Sequence, residues 1–145
     1  MAQRLLGLAL ATALLGAGGT AAATERIVLL VSEADTYIAT KAAKTVELPP
    51  SIAAHALTLE RVAADPEASR LLSEAKVIVA DVMIAEIVEY LFEHADPKRQ
   101  RLYGVRASRD DARLAAAGFL FDDRVKAYFD HLSTRNVANL LALVA

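Results

Sequence analysis

The chain predicts a small three-layer α/β domain, a parallel sheet of strand order 2-1-3-4 with helices on both faces. Three observations point there. Ile27–Val31 and Lys76–Ala80 are β-branched runs of strand length, the second apolar from Val77 on, as strands buried on both faces are. Helical periodicities separate and follow these runs, most of them opened by a capping residue or closed by proline or glycine. Strands alternating with helices join by right-handed crossovers, which gives the flavodoxin-like, Rossmann-like arrangement.

The elements follow in order. Ser32 ends the first strand and can cap the next helix, with Asp35 completing an approximate capping box. That helix carries Tyr37, Ile38, Lys41 and Lys44 and ends before Pro49-Pro50. Ala56–Leu59 is the weakest segment. It reads as a strand, while Ile52, Ala56 and Leu59 also fit a helical period. Asp65-Pro66 sets an N-cap before proline at the first helical position, and the helix runs to about Ala75. After the strand Lys76–Ala80, Ile84, Ile87, Val88, Leu91 and Ala95 form an apolar stripe opposite Glu86, Glu89 and Glu93. Asp96-Pro97 stops that helix. Leu102–Val105 is a further strand, and Asp110–Ala117 a short helix ending at Gly118. Two helices close the chain. One is entered from Asp122 and marked by Val125, Tyr128, Phe129 and Leu132. The other is capped by Ser133 and marked by Val137, Leu140, Leu141 and Val144.

Ahead of this domain, Met1–Ala23 has the layout of a secretory signal. Arg4 precedes an apolar run, Leu5–Leu15, and a small-residue segment closes on Ala21-Ala22-Ala23. Leu5–Leu15 is short for a membrane span, and the small-residue ending favours cleavage over an uncleaved N-terminal anchor. The expected organisation is a signal peptide over 1–23 and one α/β domain over 24–145. The expected destination is the periplasm or the exterior, with no stable membrane span after cleavage. Removing Arg4 leaves 15 Lys+Arg against 18 Asp+Glu, a mildly acidic balance that argues against a nucleic-acid partner. There is no Cys, so neither disulfides nor a Cys/His zinc framework is available. His55, His94 and His131 stand far apart with no metal-ligand spacing, and no metal-binding residue is assigned.

Ligands of open parallel sheets bind outside the carboxyl ends of the strands, where the strand order reverses. Here that point receives Ser32, Glu33, Asp35 and Thr36 from the first loop, and Asp81, Val82 and Met83 from the loop after Ala80. Arg106, Ser108 and Arg109 come from the loop after Val105. Carboxylates, hydroxyls and two guanidiniums near helix N-termini could hold an anionic ligand. The competing reading is that Ser32, Asp35 and Asp81 only cap helices and the arginines are solvated. No Gly-x-Gly-x-x-Gly, Gly-Lys-Ser or Gly-x-Ser-x-Gly occurs, which argues against a nucleotide loop or a serine nucleophile. The Glu86, Glu89, Glu93 stripe reads as a solvated helix face.

Three segments resemble a known family. They are Ala75–Ala95, the run Arg106-Ala107-Ser108-Arg109-Asp110, and Gly118-Phe119-Leu120-Phe121-Asp122-Asp123 followed by Tyr128-Phe129, Ser133, Asn136 and Asn139-Leu140-Leu141. Together they are similar to the N-terminal region of the large subunit of cobaltochelatases, relatives of the magnesium chelatase H subunit. The resemblance covers most of Ile27–Ala145 and rests on fold-shaping residues. It implies a link to cobalt or magnesium handling and to a corrinoid or tetrapyrrole as possible ligand, beside ATP-hydrolysing partner subunits. Family members are many times longer, and their catalytic and tetrapyrrole-cradling parts lie beyond the matched region, so no catalytic residue is carried across.

Three functional expectations follow. The first is an exported accessory domain for tetrapyrrole, corrinoid or metal handling, without catalysis of its own. The second is a truncated fragment or interaction module, docking a protein partner or missing downstream domains through an exposed apolar patch on the final helices. The third is a small exported enzyme using Asp35, Asp81 and Arg109 at the switch point.

Overall fold

A computed structural model describes residues Glu25–Ala145. The expected signal peptide, Met1–Ala23, lies outside the described residues. Four parallel strands form one sheet of order β2-β1-β3-β4. They are β1 (Glu25–Leu30), β2 (Ile52–Leu57), β3 (Val77–Asp81) and β4 (Arg101–Val105). The register sets Leu30 beside Leu57 in β2 and beside Ala80 in β3, and Asp81 beside Val105 in β4. The carboxyl ends of the strands therefore lie level, and the loops that leave them share one rim.

Among the described residues seven α-helices cover the sheet. They are α1 (Thr36–Thr45), α2 (Leu59–Ala64), α3 (Pro66–Glu74), α4 (Ala85–His94), α5 (Asp111–Ala116), α6 (Asp123–Asp130) and α7 (Thr134–Val144). One face buries Val28, Leu30 and Ile78 under α3 and α4, with Leu72, Ile87 and Leu91 in the same cluster. The other buries Ile27, Leu29 and Val79 under α1, α6 and α7, with Phe129, Val137, Leu140 and Leu141. Alternate residues of β1 thus enter opposite cores, which is why that strand has no polar phase. Among the described residues no helix is long and apolar enough to cross a membrane.

Several boundaries move from their sequence-based positions. The first and third strands each begin or end a residue or two away from the apolar run, because the parallel ladder and not hydropathy fixes their ends. The ambiguous Ala56–Leu59 stretch divides: β2 takes Ile52–Leu57, and Leu59 opens α2. Thr58 makes that division, its side chain accepting the Arg61 N–H at 3.2 Å as an N-cap does. The segment after Ser32 starts as a 3-10 turn, Glu33–Asp35, before α1 begins at Thr36. Asp65, Asp122 and Ser133 cap α3, α6 and α7 as the sequence suggests. The apolar stripes of the final helices are buried, and the exposed large apolar residues among those described are Tyr37, Met83 and Leu120.

A closed switch point and the grooves around it

The reversal of strand order falls between β1 and β3, and the expected residues arrive there. Ser32 follows β1 and turns its hydroxyl onto Asp35, donating to Oδ2 at 3.1 Å and accepting the Asp35 N–H at 3.3 Å. Thr36 Oγ1 donates to the Ser32 carbonyl at 2.8 Å, so the hydroxyl belongs to the turn. Asp81 ends β3 and has no exposed surface. Its Oδ1 accepts the Met83 N–H at 3.1 Å, shaping the loop into α4.

Arg106 joins the two loops. Its Nη1 donates to Asp81 Oδ2 at 2.9 Å and its Nη2 to Asp35 Oδ2 at 3.0 Å. The guanidinium carbon stands 5.0 Å from the centre of the Phe129 ring, which gives the cation an aromatic floor supplied by α6. Arg106 is also the one described non-glycine residue with a positive φ, 63°. A left-handed backbone at a residue with a long side chain costs about 1 kcal/mol or more, and it persists where the surroundings over-determine it. Two charge-assisted hydrogen bonds and the ring beneath supply that determination.

Burial pushes the Asp81 carboxyl above its usual range, with the Asp35 charge adding a little; the Arg106 charge and the Met83 N–H pull the other way. The cluster is therefore an ion-paired arch across the crevice, with one cation between two carboxylates. Those carboxylates take two of the five guanidinium N–H donors, and Ser32, Thr36, Asp35 and Asp81 each have a partner within the cluster. No buried side-chain polar atom among the described residues lacks a hydrogen-bond partner.

The remaining expected residues stand outside it. Met83 is 59% exposed, and Arg109 is exposed. They line a groove of about 450 Å³ with Ser108 and Asp110, between the loops after β3 and β4. Ser108 accepts the Asp110 N–H at 3.0 Å, while its own N–H donates to Asp111 Oδ1 at 3.1 Å, a local lock at the entrance of α5. The structure thus brings Ser32, Asp35, Thr36, Asp81 and Arg106 together and leaves Met83, Ser108 and Arg109 on the rim. Among the described residues no three His, Cys, Asp or Glu side chains gather as a metal site.

Two features escaped the sequence reading. Phe129 reads as ordinary core, and only its place under Arg106 gives it a role at the switch point. The second is a groove between α6 and α7, lined by Arg124, Ala127, Tyr128, His131, Asn136 and Leu143, with a volume of about 430 Å³. Asn136 fixes its end by donating to the His131 carbonyl at 2.6 Å. The presence of a histidine, a tyrosine and an arginine at helical spacing, Arg124, Tyr128 and His131, was the available signal.

Fold and site together define a flavodoxin-like α/β domain whose switch point is bridged by an internal ion-pair arch. Comparison with protein-family models, curated proteins and solved structures finds no match for the chain.

Proposed function

We propose that this chain is an exported accessory domain, related to the N-terminal part of the cobaltochelatase large subunit, that serves corrinoid, tetrapyrrole or metal handling without catalysis of its own. One observation carries the non-catalytic part: of Asp35, Asp81 and Arg109, the residues an enzyme at this crevice would use, both carboxylates are held by Arg106, and Arg109 stands exposed on the rim. The chelatase link is carried by the Gly118–Leu141 and Arg106–Asp110 resemblances. An exported copy would work away from the ATP that such relatives require, which also favours binding over metal insertion.

In this reading a planar, largely apolar ligand belongs at a groove and not at the closed crevice. The α6–α7 groove offers Tyr128 and Leu143 as apolar wall, His131 as a nitrogen donor and Arg124 as a cation for a carboxylate. The test is a visible-absorbance titration of the purified protein into hydroxocobalamin and, separately, a free-base porphyrin. Saturable band shifts that are lost in His131→Ala and Arg124→Ala support the reading. Spectra unchanged to high micromolar protein reject the binding role.

The interaction-module reading retains one specific support, the exposed Tyr37 and Met83 on the loops and helix starts at the carboxyl rim. Aromatic and methionine side chains are over-represented at protein interfaces. Loss of partner binding on Tyr37→Ser, with the titrations above negative, would favour that reading.

A further inference from the structure

The two edges of the sheet are finished differently. On the outer edge of β4 the chain returns after α5: the Leu120 N–H donates to the Leu102 carbonyl at 2.7 Å, and the Gly104 N–H to the Leu120 carbonyl at 2.9 Å. The outer edge of β2 carries no such bridge among the described residues. The Glu25 N–H reaches the Ser51 carbonyl and the Val31 N–H the Leu57 carbonyl, both at 3.0 Å, so the odd-numbered residues of β2 face β1. By alternation Ala54 and Ala56 aim their N–H and C=O groups away from the sheet, and so does the Ile52 carbonyl. The Ile52 N–H turns back to Pro49 at 2.9 Å.

Along Ile52–Leu57 this edge has no guarding charge or proline. Ile52–His55 is half-buried and reachable from outside. Natural edge strands are normally blunted by charge, proline, a bulge or a covering segment. We propose that a second copy of this chain pairs antiparallel with β2 across a two-fold axis at Ala54, joining two four-stranded sheets into one of eight.

Geometry selects that register. A two-fold axis normal to the sheet keeps each residue on its own face, so paired residues must share parity. Centred on Ala54, the two Ala54 residues exchange both of their hydrogen bonds. Each Ala56 N–H then meets the Ile52 carbonyl of the other copy. Ala53 falls opposite His55 of the other copy, small against large on the α2–α3 face. Centring on His55 would instead set two imidazoles face to face. Alanine at 53, 54 and 56 lets a strand approach closely but offers no side-chain pockets to select a foreign sequence. A symmetric pairing needs none.

Sedimentation equilibrium on the purified protein tests this, read together with amide hydrogen exchange. The expected result is a reversible monomer–dimer equilibrium in which Ala54 exchange slows as concentration rises. Ala53 and His55, bonded to β1, should exchange alike at all concentrations. Ala54→Pro removes one outward donor per copy without touching the β1 ladder, and should weaken the dimer at least about tenfold. If that variant does not fold, the exchange pattern of the unaltered chain decides alone. A monomer at all concentrations overturns the proposal, as does a dimer whose Ala54 amide exchanges at the monomer rate, or one indifferent to a folded Ala54→Pro. Protection of Ala54 only when an extended peptide is added would assign the edge to another partner and equally overturn it.

Discussion

The switch point and the α6–α7 groove sit on the same domain and share Phe129's helix, yet they are built to opposite ends. At the switch point, polar side chains from three loops converge and satisfy one another, with Asp81 fully buried and Arg106 clamped above a ring. In the groove, Arg124 and Tyr128 of α6 and His131 at its C-cap keep open surface, and Arg124 pairs loosely with the neighbouring Asp122 at 3.9 Å. The difference teaches that convergence of chemistry-bearing residues is not in itself a site. What matters is how much of their bonding capacity is left over, and the buried arch leaves less of it than the open side chains of the helix pair.

Breaking the link between the two regions should have the largest effect. Phe129 is fully buried and forms both the floor under Arg106 and the root of α6. Phe129→Ala should cost about 4 kcal/mol by lost burial and cavity formation, read as the shift in urea midpoint at constant slope. Opening the arch alone comes next. Arg106→Met leaves Asp81 buried without its cation and should cost about 3 kcal/mol at pH 7.

That second loss should depend on pH in a definite direction. Burial raises the folded pKa of Asp81, so the folded state holds this proton more tightly than the unfolded chain does. The group's contribution to stability is then fully present below its unfolded value, about 4, and is lost as pH rises through the folded value. Without Arg106 the folded value rises further. The penalty of Arg106→Met should therefore be larger at pH 7 than at pH 4 in paired denaturation curves, and an equal penalty at both would show that Asp81 does not carry the effect. The smallest change belongs to the groove: His131 is exposed, and His131→Ala should move stability by no more than about 0.5 kcal/mol while removing any ligand-induced spectral change.

Much of the fold was legible because hydrophobic pattern and caps agree. Val28 and Leu29 enter opposite cores, so the β1 run had to be apolar throughout, and Asp65-Pro66, Asp122 and Ser133 cap the helices they precede. β2 was harder, since three alanines carry little periodic signal and Thr58, a cap, sits where a strand could continue. The candidate site was legible as a set of residues but not as an arrangement. Nothing in an Arg-Ala-Ser-Arg run announces a left-handed arginine, a conformation that glycine or asparagine would advertise. Nor does sequence reveal which of Arg106 and Arg109 turns inward. Gln100 is similar: it is buried and donates to the Leu72, Ser73 and Ala75 carbonyls, closing the end of α3 from 25 or more residues away. Long-range polar closure of this kind leaves no local pattern.

The pairing of Arg106 with Asp81 is the point on which the account turns, and a double-mutant cycle measures it. Stabilities of the parent, Arg106→Met, Asp81→Asn and the double variant at pH 7 give the coupling energy directly. Asp81→Asn keeps an oxygen for the Met83 N–H, so the cycle isolates the charge pair. The account predicts a coupling of about 2 kcal/mol, with the double variant more stable than the sum of the single losses implies. A coupling below about 0.5 kcal/mol, the range of solvated surface pairs, would mean that Arg106 does not close the crevice and that the switch point is open to a ligand after all.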